Sequence, residues 1–502
     1  MLFTEDATYY AQQIKARKYT VTQLVEWALE NIEALNPKLN AVIYLQDQYA
    51  RTKAKEYDAY IANLSDDEMA DLPDFFGVPT LLKDLGQNQA GFLSSSGSKL
   101  TLDSLMQKTD HLVEDIIKAG FVILGRTNVP EFGFKGISDA KITGAVNSPI
   151  DLSRNPGGSS GGAAAALKAG IVPLALGSDG GGSIRMPASY SGLIGLKPSR
   201  GRVAVGPVTY RSWQGAAVNF ALTKSVRDTW TLLQNLQVQQ MDAPFIMPTI
   251  EETELKALDR PLKIGYIGQL NADWPLHEEA QALLDQTIAQ LRDWGHEVFE
   301  YQEPFDRAEN MRNYFEMNSV ETAATMDNIE RASGRPVVFD DVEPLTWAIY
   351  RAGLKIPSYR YSQLLYEWDQ WAAASQADFA SKMDLILTPA TNGPAPLHGE
   401  LVPDDLETLV EKEKHIDDYD KDAQQDIIWH HFEKGIVRSP YTSLVNMVGQ
   451  PAISLPVYKT ADGLPIGAQF VAAKGNEYLL LQVAKQFEEA NLLDTSIVDV
   501  EA

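Results

Sequence analysis

A chain of 502 residues, 44% of them hydrophobic, is long enough for a large core and has the composition of an ordinary soluble globular protein. Its 43 basic and 68 acidic residues leave a net charge of −25, which repels polyanions and argues against nucleic acid or anionic lipid as partners. Cysteine is absent, so disulfides, thiolate zinc sites and a cysteine nucleophile are excluded, and any covalent catalysis falls to a serine or threonine.

The N-terminal stretch MLFTEDATYYAQQIKARKYT carries Glu5 and Asp6 and no apolar run of signal length. No later segment approaches the roughly 18 apolar residues of a membrane span. A cytoplasmic protein without membrane association is expected. In the first sixty residues Leu24, Val25, Ala28, Ile32 and Leu35 recur near the helical period behind the capping candidates Thr20 and Thr22. After the acidic stretch NLSDDEMADLPD, short apolar runs alternate with helical patterns. GVPTLLKD reads as a strand ending near Lys83, HLVEDIIKAG as a helix, FVILGRTN as a strand, GGAAAALKAG as a helix start and IVPLALGS as a strand.

Beyond residue 225 come the helix SVRDTWTLLQNL, the strand LKIGYIG, the helix EEAQALLDQTIAQLRDW and the strand HEVFEY. The alternation predicts an α/β fold: a large, twisted, mixed but mostly parallel β-sheet covered by helices on both faces. Residues 305–380 are mostly helical and rich in Tyr and Trp, which suggests a helical insertion or cap over 300–430 within a single domain, 1–502. DLILTPA resumes the strands, and DDLETLVEKEKHIDDYDKDAQQD reads as a solvated helix or mobile loop. PAISLPVYKTADGLPIGAQFVAA predicts a β-hairpin and NEYLLLQVAKQFEEA a closing helix.

Two glycine-serine clusters, NPGGSSGG at 155–162 and GSDGGGSIR at 177–185, are separated by one helix and one strand. That segment can return the chain so that both clusters lie at one end of the sheet, where α/β enzymes place their sites. Three glycines before Ser183 suit a backbone that takes positive φ or lets something approach closely. Gly157–Gly161 matches G-x-S-x-G, but the loop LSRNP before it is not the strand that a nucleophile elbow needs, and a glycine-rich turn into a helix is the alternative. A phosphate cradle is another, although neither cluster has the phosphate-loop lysine or a clear G-x-G-x-x-G spacing.

None of the seven histidines sits in a motif, and the His430–His431 pair lacks H-E-x-x-H spacing, so no metal site is expected. The other available base is a lysine, because burial brings its amine toward neutrality near pH 7. Lys83, at the end of VPTLLK, is the candidate; a surface lysine with a buried stem is the competing reading.

GGSSGG, AAAALKAG, LGSDGGGSIRMPAS and GLKPSRGRV, together with GVPTLLKDL, GRTNVPEFG, VGQPAISLPV and GLPIGAQFVAA, resemble the amidase signature family. The resemblance covers essentially the whole chain and is weakest from about 300 to 430. It implies an amide hydrolase that works by acyl transfer without a cofactor or metal. Ser183 would be the nucleophile, Ser159, after a cis Gly158–Ser159 peptide, the bridging serine, and Lys83 the base. The N–H groups of Gly180, Gly181, Gly182 and Ser183 would surround the oxyanion, with Ser160 as a further donor and Asp179 and Arg185 as a network fixing the loop.

Within the family, RPVVFDDVEPLTW and the stretch from VGQPAISLP to LLLQVA are most similar to bacterial hydrolases of the cyclic aminohexanoate dimer. That alignment puts Phe134 and Asn318 near the substrate, although the group has a different residue at each. The expected partner is a small linear or cyclic amide, with esters and carbamates as further substrates, no nucleic acid, no membrane, and a homodimer left open. Two other readings are the amidase subunit of a tRNA-dependent amidotransferase, whose Arg-Ile-Met-Leu-Gly stretch is replaced here by TWAIYRAGLKIPSYR, and a catalytically silent scaffold of the same fold.

Overall fold

The computed structural model describes residues 1–270 and 273–500. Among them the strands are β1 (Val42–Leu45), β2 (Pro79–Lys83), β3 (Val122–Thr127), β4 (Ala175–Asp179), β5 (Ile194–Lys197), β6 (Val218–Thr223), β7 (Lys263–Tyr266), β8 (Glu297–Glu300), β9 (Leu385–Pro389), β10 (Ala452–Lys459) and β11 (Pro465–Ala472). They form one sheet in the order β1-β3-β2-β4-β6-β5-β10-β11-β9-β7-β8, with helices on both faces.

The sheet is mostly antiparallel, which overturns the expectation of a mostly parallel one. Parallel pairing is confined to β3–β2–β4 on one side and β9–β7–β8 on the other. Every pair between β4 and β9 is antiparallel, as is β1 with β3. The cause lies in two strands that the alternation of apolar runs does not separate out, LIGLK and VNFALT. β4, the helix Arg185–Ser191 and β5 run as a crossover that would set β4 and β5 side by side in parallel. Instead β6 returns into the gap between them and turns one parallel contact into two antiparallel ones. The β10–β11 hairpin, which the sequence predicts, adds another antiparallel pair.

Strands covered on both faces read as unbroken apolar runs. β2, β9 and β11 are buried at every position. The helix Gly161–Lys168 is likewise buried throughout and is built from glycine and alanine because it runs against backbone. A Cβ on Gly162 would lie 2.5 Å from Ala41 O and Asn128 N, a separation that no side chain tolerates. At the N-terminus, Thr20 caps the helix Val21–Leu39 in a reciprocal box with Gln23, and the helix buries Leu24, Val25, Ala28, Ile32 and Leu35.

The segment 300–430 contains β9 and the helices Arg307–Ser333, Pro344–Gly353, Ser358–Ser381 and Leu406–Lys414, with Lys421–Arg438 running on beyond it. The charged stretch after residue 403 is helical rather than loop, anchored by buried Leu409, Ile416 and Gln424.

Candidate active site

β2 and β4 are parallel neighbours, so their C-terminal ends bring Lys83 and Asp179 to one edge of the sheet. The turn before the helix Gly161–Lys168 carries Ser159 and Ser160 to the same edge, and the Gly158–Ser159 peptide is cis. Lys83 is fully buried. Its Nζ lies 2.7 Å from Ser159 Oγ, 2.9 Å from Ser178 Oγ and 3.2 Å from Ser178 O. Burial pushes the amine down to about 7, against the opposing pull of Asp179. A neutral amine has two N–H groups and one lone pair. The two Ser178 contacts can take the N–H groups, which leaves the lone pair to accept the Ser159 hydroxyl proton.

Ser183 opens with Ser159 on a cavity of about 420 Å³ that is also lined by Gly180, Phe134 and Trp213. A smaller cavity of about 90 Å³, lined by Gly181, Met186, Tyr190 and Tyr314, reaches Ser183 from another side. Ser160 N donates to Ser183 O at 3.3 Å, and the Ser160 hydroxyl lies 3.3 Å from both Ser178 O and Ser178 N. Among the described residues the Ser159 and Ser183 hydroxyls are not hydrogen-bonded to each other. The two serines meet through the cavity.

The carbonyls of the glycine run dictate where its N–H groups point, since the two lie on opposite sides of each trans peptide. Gly180 O accepts from the Tyr314 hydroxyl at 3.1 Å, and Gly181 O from the Thr442 hydroxyl at 2.5 Å. These contacts turn the N–H groups of Gly181 and Gly182 the other way. Gly182 N–H then donates to Asp179 Oδ1 at 2.7 Å. Of the four N–H groups that the resemblance assigns to an oxyanion, Gly182's is therefore committed, and those of Gly180, Gly181 and Ser183 have no partner among the described residues.

Asp179 is wholly buried and receives Arg185 Nε and Nη2, each at 2.9 Å. Burial alone would raise the carboxyl's pKa, but the Arg185 guanidinium outweighs it and holds Asp179 far below the usual carboxylate range. Arg185 reaches on to Gln469 Oε1 and Asn446 Oδ1, both at 2.6 Å, and Asn446 Nδ2 donates back to Asp179. Tyr314, Thr442, Asn446 and Gln469 did not stand out in the sequence. The available signal was Thr442 and Asn446, polar residues four apart in the mostly apolar TSLVNMV, a spacing that puts them on one helix face.

Phe134 lines both cavities, and its ring lies parallel to that of Trp213 with centroids 6.2 Å apart. Asn318 is buried on the helix Arg307–Ser333 and lies outside the lining of both cavities, which that helix reaches through other residues. Among the described residues no histidine lines either one.

Two serine hydroxyls and a buried, near-neutral lysine, beside backbone N–H groups that have no partner among the described residues, are groups of the kind an acyl-transfer hydrolase with lysine in place of histidine would use. The Amidase family model matches residues 23–481, and the chain belongs to that family, hydrolases of amide C–N bonds of the Ser–cisSer–Lys type. It is 34% identical over 493 residues to a lipoamidase of Enterococcus faecalis, covering 97% of this chain and 64% of that protein. It is 32% identical to the 6-aminohexanoate-cyclic-dimer hydrolase of Paenarthrobacter ureafaciens, covering 97% of this chain and 94% of the relative. The structure of a 6-aminohexanoate cyclic dimer hydrolase complexed with substrate superimposes with a TM-score of 0.87 at 30% identity, over 99% of both chains. Among the described residues no helix is long and apolar enough to cross a membrane.

Proposed function

We propose that Ser183 is the nucleophile, Ser159 the proton bridge and Lys83 the base in hydrolysis of small amides. The observation that carries this reading is the buried Lys83 amine, about 7 in pKa and 2.7 Å from Ser159 Oγ. As Ser183 Oγ bonds to the amide carbon, its proton passes to Ser159 Oγ while the Ser159 proton passes to Lys83 Nζ. The carbonyl oxygen becomes an oxyanion facing the N–H groups of Gly180, Gly181 and Ser183. Collapse breaks the C–N bond, and the Lys83 proton returns through Ser159 to the leaving amine. Water then attacks the acyl-enzyme with the same relay as base.

The relatives' names point to linear and cyclic amides as the substrate class, and the two cavities reaching Ser183 fit a substrate that extends on both sides of the scissile bond. Phe134 and Trp213 form an apolar wall for it. The helices of 300–430 act as a cap, since the one at Arg307–Ser333 carries Tyr314 against the glycine run. Against the amidotransferase reading, no arginine or lysine among the described residues lines the larger cavity to receive a glutamine carboxylate.

The test is a hydrolysis panel of an aryl amide, an aryl ester, a carbamate and the cyclic aminohexanoate dimer, with wild type beside Ser183→Ala. Turnover of the amides that drops at least about a thousandfold in the variant is the expected result. Full activity in Ser183→Ala would remove it as nucleophile. Silence of the wild type on every compound would favour a scaffold.

A further inference from the structure

We propose that Glu321 selects amides whose chain ends in an ammonium group, a step that rests on the amide-hydrolase reading of the same site. The wall of the larger cavity holds two carboxylates, Asp110 and Glu321, and no lysine or arginine among the described residues. Asp110 is turned toward the chain: it accepts the backbone N–H of Asn88 at 2.7 Å and that of Val208. Glu321 is engaged through one oxygen only. Its Oε1 accepts Gln214 Nε2 at 2.9 Å and the Tyr361 hydroxyl, and these two donors hold the carboxylate in place. Its Oε2 has no partner among the described residues.

Glu321 is half-buried, so a charge that meets it inside the cavity is screened less than at the surface. The cations that line the smaller cavity are already paired. Lys135 lies 2.6 Å from Asp139 and 3.2 Å from Glu343, and Arg438 pairs with Glu400. Among the described residues the one uncommitted charge on the larger cavity is therefore negative, and the overall charge of −25 adds a field of the same sign. A substrate laid across Ser183 with an ammonium arm in this cavity gains an ion pair at Glu321. A carboxylate arm meets only repulsion.

The test uses Ser183→Ala protein, titrated by calorimetry with pentanamide, 5-aminopentanamide and glutaramate. A mirrored set, N-pentylacetamide, N-(5-aminopentyl)acetamide and N-(4-carboxybutyl)acetamide, places the arm on the amine side instead. In at least one set the ammonium member is expected to bind at least about fivefold tighter than the neutral one, and the carboxylate member weaker still. Adding Glu321→Gln should erase that spread and leave the neutral compound unchanged, because glutamine keeps a carbonyl oxygen for Gln214 and Tyr361. No binding of either ammonium compound, no spread in either set, or a spread that survives Glu321→Gln would overturn the proposal. So would an equal loss for all three compounds, which would mark Glu321 as a latch for the Trp213 loop. Turnover of the same six amides by protein with Ser183 intact separates the two claims: charge-selective binding without hydrolysis removes the hydrolase reading and leaves the ammonium site. Hydrolysis without charge selection does the reverse.

Discussion

Lys83 shows how one residue's surroundings decide its chemistry. On the surface its amine would be protonated at neutral pH, but full burial brings it to about 7, within reach of proton transfer. If Lys83 is the base, as proposed, its neutral form is the active one, and kcat/KM for an uncharged amide is expected to rise as pH increases through about 7 and to level off above it. A pH–rate profile from 5.5 to 9 checks this, and a flat profile would remove Lys83 as the base. The sequence singled out Lys83 through the resemblance around GVPTLLKDL, whereas its burial was not legible, because VPTLLK alone fits a surface lysine at a strand end better.

At the scale of the element, the glycine run between β4 and the helix Arg185–Ser191 is held from both sides, by Tyr314 and Thr442 on its carbonyls and by Asp179 on Gly182 N–H. Gly182 has φ +131°, and a Cβ there would collide with the Thr442 side chain. Gly182→Ala should therefore shift the neighbouring Ser183 N–H and lower kcat by about 10²–10³, read in steady-state kinetics with folding checked by circular dichroism. Arg185→Met leaves Asp179 buried without its partner, and a loss of about 3–5 kcal/mol in urea unfolding is expected. A change below about 1 kcal/mol would mean that water or another donor replaces the guanidinium. The sequence marks this loop as special through its three glycines, but Thr442, Asn446 and Gln469 come from more than 250 residues away and carry no local signal.

At the scale of the whole molecule, four lysines are buried among the described residues. Burial pushes Lys83 and Lys197 down to about 7 and Lys168 and Lys224 to about 8. Unfolded, each would keep its proton to about 10.4, so between pH 7 and 9 the unfolded chain binds more protons and stability rises with pH. Asp228, raised to about 7 by burial and the neighbouring Asp6, acts with the opposite sign but only below that pH. Urea midpoints should therefore increase from pH 7 to 9; a fall over that range would show that the lysines remain charged in the fold.

The sequence by itself determined a helix-covered mixed sheet, the strands β2–β4 and β7–β9, the C-terminal hairpin and most of the helices, but not the edge strand β1, which lies in a stretch that reads as helical, and it singled out Lys83, Ser159 and Ser183 as the candidate site. Hydrophobic period, turn residues and glycine clusters are local properties, and each is written in a few consecutive positions. Tertiary structure alone decided the direction of the central strands, where β6 enters between β4 and β5, because pairing depends on where a returning chain finds an open edge. It alone decided which N–H group of the glycine run is spent, and that Glu321, on the cavity wall, has only one of its carboxylate oxygens engaged among the described residues. Those outcomes depend on side chains from distant segments meeting in space, and no window of neighbouring residues contains them.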